Sequence, residues 1–303
     1  METTVGTVTL HQPLGAKALE NTCRYGTSNR SLFCDLPDRT IHYIQTGQGP
    51  HLVLIHGIAA SLYIWRFMIE ELSKHFTVTA LDLPGFGFSS KHPHHDYGLD
   101  QQADNLAEFL TKIGIHEAHL LGSSMGGAVA LWAAKKYPER FGKIATISPS
   151  TNPKLLRYVD VLPAPLVKPI IPLSRSFKYL ATPTTVKMFY SRVISNQALA
   201  TDETISAYLR PFLEGEGSFA TLLKATRLIG DRRMPKELGS IQQPVLVLWG
   251  KNDRLVPYRY IEELLGHLPK SEFAAHPTAG HHSMEDDPVW VLEQVQNFFK
   301  AKG

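Results

Sequence analysis

A rhythm of short apolar runs restricts the fold of this chain more than any other feature. His51–Gly57 (HLVLIHG), Phe76–Asp82 (FTVTALD), Ala118–Ser123 (AHLLGS), Lys143–Ser148 (KIATIS) and Pro244–Gly250 (PVLVLWG) are brief, unbroken and rich in Val, Ile and Leu. Runs of that kind suit strands buried on both faces. Thr40–Gly47 (TIHYIQTG) alternates at period two, as a half-exposed strand does, and Ser271–His276 (SEFAAH) predicts a further short strand. Longer amphipathic stretches between them predict helices over Leu62–Lys74, Leu99–Ile113, Ser124–Tyr137, Tyr258–Leu268 and Pro288–Phe299. Strand and helix in alternation imply an α/β protein, with a mostly parallel sheet covered by helices on both faces.

The rhythm stops between about Thr151 and Ser240. That stretch is broken by Pro153, Pro163, Pro169, Pro183 and Pro211 and predicts several short helices. The expected organisation is a core made of residues 1–150 and 241–303, with residues 151–240 inserted as a helical cap. Within the core, residues 1–30 form a polar N-terminal extension. The first half of the cap, Thr151–Arg192, carries seven Lys or Arg against the lone Asp160. A solvated basic face is the expectation there, with transient contact at an anionic membrane surface as the alternative.

Composition narrows the classes. Apolar residues make up 43% of 303, enough for a sizeable interior, and a net charge of +3 gives no reason to expect a nucleic-acid partner. Two cysteines, Cys23 and Cys34, are too few for a disulfide scaffold and fit a reducing compartment. Met1–Glu20 has neither a basic start nor an apolar core, and no run of eighteen apolar residues occurs anywhere. The expectation is a soluble, cytoplasmic protein.

Gly122-Ser123-Ser124-Met125-Gly126 fits G-x-S-x-G, with a strand before it and a helix of small residues after it. A serine on so sharp a turn takes strained backbone angles and exposes its Oγ above the sheet. Side chains two residues either way would collide with strand and helix, hence the glycines. The alternative is that Ser124 merely caps the helix. Ser123 is off-centre between the glycines and is the weaker nucleophile candidate.

A serine hydroxyl needs a base, and the base needs an orienting group. Asp253 follows the buried run PVLVLWG, and His281 lies in HPTAGHHSMEDDP after SEFAAH. Both fall on loops at the carboxyl ends of strands, where an open parallel sheet presents its site. Asp82, Asp286 and Asp287 are rival acids. Asp82 belongs to a turn, and the other two suit the N-terminus of the last helix. His282 is a rival base that sequence separates poorly from His281, although Gly280 favours the latter. The loop after Gly57 can bring the backbone N–H of Ile58 to join that of Met125 as an oxyanion hole. His56 reads as structural. Lys91–Asp96 (KHPHHD) groups histidines near an acid but reads as a solvated loop, so no metal or organic cofactor is implied.

Taken together, HGIAASLYIW, LDLPGFGFSS, GSSMGG, WGKNDRLVP and AGHHSMEDDP resemble, in order and spacing, the blocks of the α/β-hydrolase superfamily and its cap-bearing, esterase- and lipase-like serine hydrolases. The resemblance runs from about Thr40 to the C-terminus. It implies Ser124 as nucleophile, Asp253 as acid, His281 as base, and Ile58 and Met125 as oxyanion donors. The substrate implied is a small carboxylic ester with an apolar acyl or alcohol part. Leu155, Leu156, Leu166, Val167, Ile170 and Ile171 are the candidate cap residues for that part, unless they only pack the cap. Ser124 stands where haloalkane dehalogenases and epoxide hydrolases carry Asp, which argues against both. Ala59 replaces the proline usual in epoxide hydrolases and perhydrolases. HGIAAS lacks the HGGGPG pattern of carbon–carbon bond hydrolases, leaving that activity as an alternative beside an acyltransferase and a non-hydrolysing receptor.

Overall fold

The computed structural model describes residues 31–92, 94–152, 181–214, 218–229, 231–268 and 270–300. Eight strands form one sheet: β1 (Leu32–Leu36), β2 (Arg39–Thr46), β3 (His51–Ile55), β4 (Thr77–Leu81), β5 (Ala118–Ser123), β6 (Phe141–Ile147), β7 (Val245–Gly250) and β8 (Ser271–His276). Their order is β1-β2-β4-β3-β5-β6-β7-β8. β2 pairs antiparallel with β1 and β4, and every other pairing is parallel.

The continuous apolar runs divide by pleat between two cores. Val53, Ile55, Leu120, Val247 and Trp249 point into one, with α2 (Leu99–Lys112) and α3 (Met125–Lys136) packed over them. Leu52, Leu54, Leu121, Leu246 and Leu248 point into the other, under α1 (Ile69–Ser73) and the last helix, Pro288–Lys300. Successive side chains of a strand face opposite ways, so a strand covered on both faces must be apolar at every position. Each fully buried Leu contributes roughly 1.5–3 kcal/mol. Between β6 and β7 the described chain is helical, with α4 (Pro183–Val193), α5 (Asp202–Glu214) and α6 (Ser218–Ile229).

Two expectations are corrected. Leu62–Lys74 is a 3-10 turn over Leu62–Trp65 followed by the separate α1. The Tyr63 carbonyl accepts from both the backbone N and Nη1 of Arg66, each at 3.2 Å, so the i+3 bond closes the turn where an α-helix would bond i+4. Residues predicted as one helix over Tyr258–Leu268 likewise split into a 3-10 turn, Tyr258–Tyr260, and a helix, Ile261–His267. β1 was not among the predicted strands. It joins β2 through Pro37-Asp38, with Leu36 opposite Arg39. The N-terminal extension and the six cap leucines, valine and isoleucines named above lie outside the described residues.

Candidate active site

Ser124 sits between the end of β5 and the start of α3 with φ 53° and ψ −116°, a left-handed conformation uncommon for a side chain-bearing residue. Close packing enforces it. A Cβ on Gly122 would lie 2.3 Å from the Gly126 carbonyl oxygen, and one on Gly126 would lie 2.2 Å from that of Ile55. The Ser124 N–H is spent on the Ile147 carbonyl at 2.8 Å. Although Ser124 occupies the N-cap position of α3, its side chain makes no capping bond. Its Oγ instead lies 2.9 Å from the Oγ of Ser150, the buried residue just beyond β6.

Asp253 and His281 meet across the ends of β7 and β8. His281 Nδ1 lies 2.7 Å from Asp253 Oδ2, and both side chains are buried. The other oxygen of Asp253 accepts from the backbone N–H groups of Leu255 and Val256, each at 2.8 Å. Three bonds thus fix the carboxylate, and Nδ1–H donation to it leaves Nε2 of His281 as the free acceptor. The two loops pack tightly, since a Cβ on Gly250 would lie 2.2 Å from the Gly280 carbonyl oxygen.

Ser124, Ser150 and His281 open onto one cavity of about 430 Å³. Ile58 and Ala59 line it from the loop after β3, where Ala59 has φ 56° and a Cβ on Gly57 would lie 3.1 Å from the Ser124 Cβ. Met125 is the first residue of α3, so its backbone N–H is one of those that the helix leaves unpaired beside Ser124. Most of the remaining wall comes from α4–α6, where the apolar Val186, Phe189, Phe212, Leu222, Leu223 and Ile229 outnumber Thr185, Tyr208 and Thr226, and Ala181, Leu255 and Val256 complete it.

The rival residues have other partners. His282 Nδ1 lies 2.7 Å from Glu285, and His282 does not line the cavity. Asp82 is fully buried, accepts from Leu62 N and Phe88 N, and pairs with His42 at 2.7 Å. Burial would raise its carboxyl, but the His42 and His56 charges and these bonds hold it below the usual range. Asp287 accepts from Trp290 N at the last helix, whereas Asp286 binds the N–H groups of Ser195, Asn196 and Gly280 and so braces the His281 loop. His56 is fully buried between Gly57 O and Leu83 N, and burial lowers its basicity. Among the described residues no group of three His, Cys, Asp or Glu side chains is placed to hold a metal ion. Nor is any described helix long and apolar enough to cross a membrane.

The sheet order and the strand–serine–helix turn together make the α/β-hydrolase fold. A family model described as the alpha/beta hydrolase fold matches residues 50–167. The hydrolase YugF of Bacillus subtilis, itself uncharacterized, is 29% identical over 261 residues, covering 86% of this chain and 93% of that one. A pimeloyl-[acyl-carrier protein] methyl ester esterase of Vibrio vulnificus is 28% identical over 261 residues, covering 85% and 97%. The structure of a bacterial membrane phospholipase A superposes with a TM-score of 0.76 at 24% identity, covering 94% of this chain and 90% of that one, a likeness of fold.

Proposed function

We propose that the protein is a serine hydrolase that cleaves carboxylic esters with an apolar acyl part. The observation that carries this is the shared cavity. Ser124 in a strained turn and His281 held by Asp253 face the same apolar space. His281 Nε2 takes the proton as Ser124 Oγ attacks the ester carbonyl carbon. The oxyanion rests on the N–H groups of Ile58 and Met125. His281 then returns the proton to the departing alcohol, and a water activated by the same imidazole releases the acid from the acyl-enzyme.

Residues 151–240 act as the cap that sets the acyl pocket, with α4–α6 as its described part. The esterase name of the Vibrio relative supports ester chemistry over transfer or mere binding. The test is a series of p-nitrophenyl esters from acetate to palmitate, run with Ser124→Ala, together with fluorophosphonate labelling read by mass spectrometry. A label on Ser124 and hydrolysis lost in Ser124→Ala are expected. Hydrolysis that survives Ser124→Ala would overturn the assignment.

A further inference from the structure

Behind the Asp253–His281 pair lies a second buried polar cluster that ester cleavage as written does not use. Its centre is the Glu285 carboxylate, which accepts from Arg66 Nη1, from Tyr208 OH at 2.7 Å and from Tyr190 OH at 3.1 Å, and pairs with His282 Nδ1 at 2.7 Å. These partners come from separate places: Arg66 from the turn after β3, Tyr190 from α4, Tyr208 from α5, and His282 from the position next to His281. The Arg66 guanidinium also lies over the rings of Tyr63 and Phe67, at 4.3 and 4.2 Å. Burial would push the Glu285 carboxyl up, but the Arg66 charge and the bonds from His282 and Tyr208 bring it down to about 2. The hub is a charged carboxylate with its bonding capacity filled, the condition under which a buried network is rigid.

Two contacts join this hub to the reacting groups. Tyr208 faces both ways: it lines the cavity, and its OH lies 3.3 Å from His282 Nδ1. The His282 ring lies nearly parallel to that of His281, centroids 5.6 Å apart at 27°, and the Tyr208 ring continues the stack at 6.5 Å and 25°. Asp253 holds His281 by one edge only, and a ring held at one edge can tilt about that bond. A pinned neighbour against its face stops the tilt.

We infer that Glu285, Tyr208 and His282 form a positioning unit that backs the His281 ring and ties it to the wall of the substrate cavity; this rests on the serine-hydrolase reading of Ser124 and His281. Because His281 acts on every substrate, loosening the unit lowers kcat alike for short and long esters. A residue that only walled the cavity would instead change KM, and more so for long chains.

The test measures kcat and KM on p-nitrophenyl acetate and decanoate for the wild type, Tyr208→Phe and His282→Ala, with fluorophosphonate labelling of the wild type. Tyr208→Phe keeps the ring and removes the hydroxyl. It should lower kcat about tenfold on both esters with KM within twofold, since small errors in placing a catalytic group cost that much or more. His282→Ala removes the backing ring itself and should lose more. If both variants keep wild-type kcat, or if the change is confined to KM for decanoate, the positioning role is overturned while the hydrolase reading stands. A wild type that neither labels at Ser124 nor hydrolyses either ester overturns both.

Discussion

Ser124 Oγ and Ser150 Oγ lie 2.9 Å apart, and the backbone joins the same two residues, with Ser150 N donating to Ser124 O at 3.1 Å. β5 and β6 are parallel neighbours, so the residues that leave their carboxyl ends emerge side by side. A Ser150 hydroxyl that donates to Ser124 Oγ leaves the nucleophile's own proton free for His281. One such bond is worth about 1 kcal/mol, so Ser150→Ala should lower kcat about fivefold with little change in KM. Unchanged steady-state kinetics would make the contact incidental.

Asp253→Asn is the cleaner probe of the acid. Its side-chain oxygen can still accept from Leu255 N and Val256 N, so the turn should hold and circular dichroism should match wild type. The amide has no charge to stabilise an imidazolium and favours the wrong tautomer of His281. A fall in kcat on the order of 10³–10⁴ is expected. A loss below tenfold would show that another group orients the base.

These residues differ in how far sequence betrays them. The turn at Ser124 was legible because backbone crowding permits only glycine at positions 122 and 126, and crowding of that kind leaves a mark in the chain itself. Asp253 stood out because it lies on the loop that follows a buried strand. His281 and His282 are adjacent, and only the folded loop separates them, turning one toward Asp253 and the other toward Glu285. The Glu285 hub was not legible. Arg66, Tyr190 and Tyr208 lie 219, 95 and 77 residues from it, and each type alone reads as surface or core. The same distant ion pair holds Arg66 at the break between the 3-10 turn and α1, where local pattern predicted one helix. The wall residues of α4–α6 also read as ordinary core.

Glu285 makes a pH-dependent contribution to stability. Its carboxyl lies near 2 in the folded chain against 4.5 for the free group. A depressed folded value stabilises fully above 4.5, and that stability is lost as pH falls from 4.5 toward 2, by roughly 3 kcal/mol in all. Denaturant titrations of the wild type between pH 7 and 3 should show roughly 2 kcal/mol of this loss, all of it below about pH 4.5. Glu285→Gln should be less stable at pH 7, with Arg66 left unpaired, and should show a shallower acid dependence. Parallel pH dependences in the two proteins would contradict the charged hub.

Val186 on α4 lines the cavity and is only partly buried, so a larger side chain there has room to grow inward without breaking a core. Val186→Trp should fill part of the 430 Å³ and shorten the acyl chain that fits. Each methylene denied burial loses about 0.8 kcal/mol, close to fourfold in kcat/KM. The ester series should therefore keep its acetate rate and fall steeply toward decanoate and palmitate, with kcat on acetate as the internal control for an intact Ser124 and His281. Equal losses at every chain length would mean that the substitution disturbs the reacting groups. An unchanged profile would mean that the acyl chain lies elsewhere.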